Sequence, residues 1–119
     1  MSSATLNPQA IENLRAISPD DDGEFLRELV DIFLADTPQQ IADVEKALTT
    51  GNAPDLTRAA HSIKGSASNF GATELAEVAR EIEHLGKAIA LDQVRARLPA
   101  LHEAFSRIQP ALDQLKLGS

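Results

Sequence analysis

Apolar residues recur along this chain at steps of three and four, the period of a helix with one buried face. Five segments follow from that spacing and from their end signals. In the first, Asn7 is placed to cap, Pro8 suits the first helical position, and Ile11 and Leu14 give a small apolar face that ends near Ile17. A polar loop, Ser18-Pro19 and three aspartates, comes next. The second segment runs from about Gly23 to Leu48, with Leu26, Val30, Phe33, Ile41, Val44 and Leu48 in phase. Pro38 interrupts it by removing a backbone donor and crowding the carbonyl four residues back. Two outcomes fit: a kink near Thr37, or two stacked helices sharing one stripe. Gly51 is a plausible left-handed stop.

The third segment starts after Asn52 or Ala53, carries Pro54 and Asp55 in its first turn, and has the stripe Leu56, Ala60, Ile63, Ala67 and Phe70 before Gly71 ends it. The fourth is expected to be capped by Thr73 and to bury Leu75, Val78 or Ala79, Ile82 and Leu85, with Gly86 near its end. The fifth, about Ala90 to Leu115, places Val94, Leu98, Leu101, Phe105, Ile108, Leu112 and Leu115 at the spacing of a left-handed bundle seam. Pro99 within it marks a kink or a restart. Short connections make sequential helices antiparallel neighbours. The fold expected is all-α, an antiparallel up-and-down four-helix bundle with an added short N-terminal helix. The two long helices, about 39 Å each, overhang the third, about 24 Å, and the first helix is available to cover the overhang.

Composition narrows this picture. The 119 residues fit one domain, with a bundle core over about 23–116 and loose ends at 1–7 and 117–119. With 43% hydrophobic residues and no Trp or Tyr, the chain favours packed helices over disorder or strands. The absence of cysteine excludes a disulfide framework and thiolate metal sites. No apolar run reaches the ~20 residues of a membrane span, and Met1 to Asn7 has no signal-peptide core, so a soluble cytoplasmic protein is expected. Net charge is −7, from 18 acidic and 11 basic residues, which disfavours nucleic acid as a partner.

Candidate chemistry concentrates on the third helix. Relative to Leu56, His61 points about 140° away, Lys64 about 80°, Gly65 about 180° and Ser68 about 120°, so the four share the polar side. Imidazole with a reference pKa of about 6.5 is a nucleophile near neutrality. An ammonium one turn on can neutralise an added phosphoryl group. A mid-helix glycine costs about 1 kcal/mol relative to alanine, which suggests close approach by another molecule. On the fourth helix Arg80, Glu83 and Lys87 share a flank outside the Leu75–Ile82 stripe. An ordinary charged helix face has the same residue types at the same spacing. His84 points to solvent and His102 flanks the fifth seam, and neither has the spacing of a metal site.

The stretch Ala60-His61-Ser62-Ile63-Lys64-Gly65-Ser66, continued by Phe70-Gly71, resembles the signature of histidine-containing phosphotransfer (HPt) domains, with likeness extending from about Phe25 to Leu112. The resemblance implies that His61 accepts a phosphoryl group from a receiver-domain aspartate and passes it to another response regulator. It implies that Lys64 stabilises the phosphoryl charge and that Gly65 leaves room for receiver loops. Relatives carry Glu or Gln at the place of Glu83, hydrogen-bonded to the imidazole, which would hold Nδ1–H and leave Nε2 to react. Ser68, Lys87 and Arg80 are candidate docking residues, beside an apolar patch expected from the second and third helices.

No Gly-rich nucleotide loop or Walker lysine is present, so the chain is expected to be no enzyme in its own right and to take Mg²⁺ from the receiver. The partners implied are receiver domains and an upstream, hybrid histidine kinase, with the chain itself a monomer. A non-catalytic helical adaptor that binds the same partners without phosphotransfer stays open. So does the input portion of a larger kinase, although a start at Met1 favours a separate carrier. A metal-binding bundle enzyme ranks last, for want of inward Glu or His at ligand spacing.

Overall fold

The computed structural model describes residues 6–118, and they form five helices. These are α1 (Pro8–Ile17), α2 (Glu24–Thr50), α3 (Ala53–Asn69), α4 (Thr73–Lys87) and α5 (Leu91–Gly118). α2 to α5 pack in sequence order as an up-and-down bundle, α3 against both α2 and α4, and α5 against both α4 and α2. One hydrophobic core runs through all five, and the predicted stripes supply it. Leu26, Val30, Leu56, Ile63, Leu75, Ile82, Val94, Leu101, Ile108 and Leu112 are buried almost completely.

The helix ends largely follow local chemistry. Asn7 caps α1 by accepting from Gln9 N–H at 2.9 Å, and Asn52 caps α3 by accepting from Asp55 N–H at 3.0 Å. Gly51 closes α2 in the left-handed conformation. Thr73, expected as the cap of α4, is instead its first helical residue; Ala72 holds the cap position and makes no side-chain bond there. The reason lies in the turn before it. Gly71, at φ +66°, lets Ala72 N–H reach Ala67 C=O at 2.8 Å, and Thr73 Oγ1 turns back to Gly71 C=O at 3.3 Å.

The same turn ties down the N-terminus. Asn7 N–H donates to Gly71 C=O at 3.0 Å, and Leu6 bridges Ala72. A Cβ on Gly71 would lie 2.4 Å from Asn7 Cβ, so bare backbone is required there. Of the ends expected to be loose, Leu6 and Asn7 meet this turn and Leu117 and Gly118 continue α5, while 1–5 and 119 lie outside the described residues. α1 closes the end of the bundle formed by the α3–α4 turn. Its Ile11 enters the core, and the face formed by Leu6, Pro8 and Ile11 looks across a groove to Ala111 and Leu115 of α5. Lys116 of α5 meets Asp31 of α2 at 2.6 Å in the overhanging part of the long pair.

The prolines do not divide the long helices. α2 runs through Pro38, and α5 runs through both Pro99 and Pro110, so stacked halves in α2 and a restart in α5 are set aside. All three prolines are exposed or half-exposed, on the outer face where a carbonyl released four residues back can be hydrated. Buried residues on both sides, Phe33 and Thr37 before Pro38 and Ile41 and Val44 after it, hold α2 to one core.

Two residues near the α4 terminus set geometry that the stripe alone does not show. Gly86 is buried within α4, in line with Leu75, Ala79 and Ile82, and is not a terminator. A Cβ there would meet Thr57 Oγ1 at 2.5 Å and Leu56 Cδ2 at 2.9 Å, so the bare backbone of α4 rests directly on side chains of α3. The left-handed residue after α4 is Ile89, at φ +56° and 68% exposed. Ala90 N–H closes the turn onto Leu85 C=O at 2.9 Å. A β-branched residue in that conformation is strained by about 1–2 kcal/mol.

Opposite stability effects are expected from these two positions in urea unfolding. Gly86→Ala lowers stability by about 1–3 kcal/mol, because the methyl forces α3 and α4 apart. Ile89→Gly raises it by about 1 kcal/mol, because strain is relieved and little packing is lost. A Gly86→Ala protein as stable as the parent would contradict the close approach, and an Ile89→Gly protein less stable than the parent would contradict the strain.

Candidate functional site

α3 presents His61 at its middle, on the flank that faces α4. The imidazole is 64% exposed, while the carboxylate it meets, Glu83 of α4, belongs to a residue only 6% exposed. His61 Nδ1 lies 2.9 Å from Glu83 Oε2. Lys64 Nζ lies 2.8 Å from the other oxygen, Oε1. Lys87 Nζ, one turn along α4, stands 3.5 Å from Oε2. One buried carboxylate thus joins three side chains from two helices.

Burial pushes the Glu83 carboxyl toward its neutral form. The hydrogen bonds from Lys64 and His61, and the charges of both partners, outweigh that effect and bring its pKa down to about 2. An ionised carboxylate only accepts hydrogen bonds. The His61 nitrogen facing it must therefore be the protonated one, and in the neutral ring the lone pair is left on Nε2. Nε2 has no protein partner among the described residues. The ring is consequently a nucleophile oriented outward, with its tautomer set from behind.

The surroundings are low. Gly65 is exposed one turn below His61, and a Cβ built on it would have nothing within 4 Å. No packing inside this chain calls for glycine there, in contrast to Gly86. Ser68 is exposed a further turn below. Arg80 stands apart from the group: it pairs with Glu77, one turn back on α4, which raises its pKa through the hydrogen bond and charge of that carboxylate. The shared flank read from the helical wheel gave Arg80 its direction but not its partner, and a carboxylate three residues away won.

Two further features surround the site. The groove between α2 and α3, about 440 Å³, has a mixed lining, with Gln40, Asp43, Lys46, Asp55, Arg58 and Ser62 beside Ala47 and Ala59. Among the described residues the exposed large hydrophobic side chains are Ile17, Ile32, Ile89 and Leu117, of which Ile32 lies on α2 and none on α3. His102, read as flanking the α5 seam, places Nε2 2.7 Å from Glu45 Oε2 of α2. His84 is exposed, as expected. Among the described residues no group of three or more His, Asp or Glu side chains is disposed to hold a metal ion, and no helix is long and apolar enough to cross a membrane.

The ion pair between Lys64 and Glu83 is not legible in the sequence, since it depends on how close α3 and α4 come. The signal for that closeness is Gly86, in phase with the buried stripe of α4 and one turn from Glu83.

Comparisons with known proteins agree with this geometry. The chain is similar in structure to histidine-containing phosphotransfer protein B from Pseudomonas aeruginosa, with a TM-score of 0.87, 26% identity and 99% of each chain covered. In sequence it is 27% identical over 107 residues to multistep phosphorelay regulator 1 of Schizosaccharomyces pombe, covering 90% of this chain and 36% of that protein. It is 28% identical over 108 residues to the sensory/regulatory protein RpfC of Xanthomonas campestris, covering 91% of this chain and 15% of that one. The chain thus spans well under half the length of these two relatives. The Hpt domain family model matches residues 28–116. A match that runs from the first turns of α2 to the last turns of α5 takes in the whole bundle, and the chain belongs to the Hpt domain family.

Proposed function

We propose that this protein is a histidine phosphocarrier in a multistep phosphorelay. His61 takes a phosphoryl group from an aspartyl phosphate on a receiver domain and delivers it to the aspartate of another response regulator. The observation that carries this reading is the exposed imidazole whose Nδ1 is held by an ionised, buried Glu83. The names of the relatives, a phosphotransfer protein and a phosphorelay regulator, support it.

Each residue of the group has a part. Nε2 of His61 attacks phosphorus in line with the departing aspartate oxygen. Lys64, 2.8 Å from Glu83 and partly exposed, is within a side-chain rotation of the incoming charge, and Lys87 supplies a second ammonium nearby. Gly65 leaves α3 low where receiver loops must approach, and Ser68 extends that low ridge. Arg80, occupied by Glu77, is left outside the group. The receiver docks on the face of α3 around His61, where exposed Gly65 and Ser68 keep the surface low. The receiver brings the Mg²⁺. The chain needs no nucleotide site of its own, because an upstream kinase, acting through a receiver, supplies the phosphoryl group. The same reading makes it a cytoplasmic monomer, its apolar faces used within one bundle.

Two measurements test this. With a phosphorylated receiver and Mg²⁺, the parent acquires acid-labile, alkali-stable phosphate, and His61→Gln acquires none while keeping its helical signal and cooperative unfolding. Phosphate on the His61→Gln protein, or none on the parent with any receiver of its source organism, points to an adaptor instead of a carrier. Gly65→Gln is expected to raise stability by about 0.5 kcal/mol, through helix propensity in open space. It should also slow transfer from the receiver by about tenfold or more, because the side chain displaces the partner from the reactive geometry. Unchanged transfer would remove the docking role of Gly65.

A further inference from the structure

Once Nε2 carries a phosphoryl group, the fate of the Nδ1 proton decides how readily that group can leave. On arrival the neutral ring attacks, the Nε2–P bond forms, and the aspartyl O–P bond breaks with its electron pair going to the carboxylate. The ring keeps its Nδ1 proton and gains a positive charge. In onward transfer the next receiver's carboxylate forms an O–P bond, and the Nε2–P bond breaks with its electron pair going to Nε2. With Nδ1 protonated, the departing group is neutral imidazole. With Nδ1 bare, it is imidazolate, a much stronger base and a much poorer leaving group. A ring 64% exposed to water is open to losing that proton.

We propose that Glu83 is a positioning residue that retains the Nδ1 proton on phosphorylated His61, so that the stored phosphoryl group stays transferable at and above neutral pH. This rests on the phosphocarrier reading. Three observations carry it. The Nδ1 to Oε2 distance of 2.9 Å puts a full negative charge at hydrogen-bond range of the charged ring. Lys64 clamps the other oxygen at 2.8 Å, so the carboxylate is fixed in rotation. Glu83 is 6% exposed, so little water competes for its lone pairs. The carboxyl is ionised across the working range, its pKa held near 2 against its own burial by Lys64 and His61.

The other charges around the ring are fewer or already engaged. Lys64 on α3 and Lys87 on α4 oppose a positive ring, and both are drawn to Glu83 and to the phosphoryl oxygens. Arg58, one turn above on α3, pairs with Asp55 at 2.7 Å, and Arg80 on α4 pairs with Glu77. Asp43 and Lys46 of α2 lie along the opposite flank of α3, lining the groove there. The one charge in hydrogen-bond contact with Nδ1 is negative. An amide at this position would accept the same bond without the charge, and could turn to donate to a bare nitrogen.

The test uses the whole chain with ¹⁵N-labelled histidine, loaded chemically with phosphoramidate so that no receiver is needed. Nδ1 of phosphorylated His61 is titrated by ¹⁵N NMR between pH 5 and 10 in the parent, Glu83→Gln and Glu83→Asp. The expected midpoint in the parent lies about 1–3 pH units above that of Glu83→Gln, the effect of an opposite charge at contact. Glu83→Asp, which keeps the charge, lies above Glu83→Gln. At a pH above both midpoints, spontaneous loss of phosphate from Glu83→Gln is then slower than from the parent, by about tenfold for each pH unit that separates the two midpoints. Equal midpoints in the parent and Glu83→Gln, or in Glu83→Asp and Glu83→Gln, overturn the role of the charge. A parent that takes no acid-labile phosphate from a phosphorylated receiver overturns the carrier reading instead, and that separate assay tells the two failures apart.

Discussion

The buried carboxylate of Glu83 is the constraint on which the site depends. A carboxylate withdrawn from water is costly unless hydrogen-bonded partners compensate it. Glu83 is tolerated because Lys64 and His61 each donate to it within 3 Å. Those donors stand on α3 and the acceptor on α4, so the charge acts as a cross-link between the two helices. Its geometry is set one turn away, where Gly86 rests on Thr57 and Leu56. Thr57 precedes His61 by one helical turn and Gly86 follows Glu83 by one turn. A bulkier residue at the glycine would widen the gap that the hydrogen bonds must span. Packing and electrostatics are therefore coupled: the core contact decides whether the polar contact can form.

The two informative glycines show why residue identity needs a structure to be interpreted. Both lie within helices, Gly86 in the last turn of α4 and Gly65 in the interior of α3, where it forgoes about 1 kcal/mol of helix propensity. Gly86 is buried against a neighbour, which accounts for it inside the fold. Gly65 faces open space and has no internal reason to lack a side chain. The difference assigns one to the scaffold and the other to an external partner.

Much of this was legible in the sequence for a simple reason. In an antiparallel bundle with short turns each helix buries one face, so a period near 3.6 in hydrophobicity reports the core directly. That is why the stripes of α2, α3, α4 and α5 and the outward direction of His61, Lys64, Gly65 and Ser68 were recoverable. What could not be read depended on competition between partners. Pro38 was overridden by the buried residues on either side of it. Thr73 lost the cap position because Gly71 reshaped the turn. Arg80 went to Glu77, which a wheel does not rank against Glu83. Lys64 was assigned to an arriving phosphoryl group, but in the resting chain it already has a carboxylate. Periodicity gives direction, and distances between side chains on different helices lie beyond it.

The pairing of Lys64 with Glu83 bears on how a chain of net charge −7 can host an anion at all. The carboxylate brings one negative charge, and Lys64 and Lys87 bring two positive ones, so the group around a neutral His61 is positive by one unit. A phosphoryl group adds close to two negative charges, and the ring that carries it gains one positive charge while its proton is retained. The loaded site is then near neutrality. Two unit charges 4 Å apart interact by about 4 kcal/mol at the effective dielectric of a protein surface, so a balance this local outweighs the more distant acidic residues, which are screened beyond about 8–10 Å. A site that was strongly positive would bind the phosphoryl group too well to release it, and a negative one would repel its donor. A carrier has to do both, and the single buried carboxylate between two lysines holds the charge between those limits.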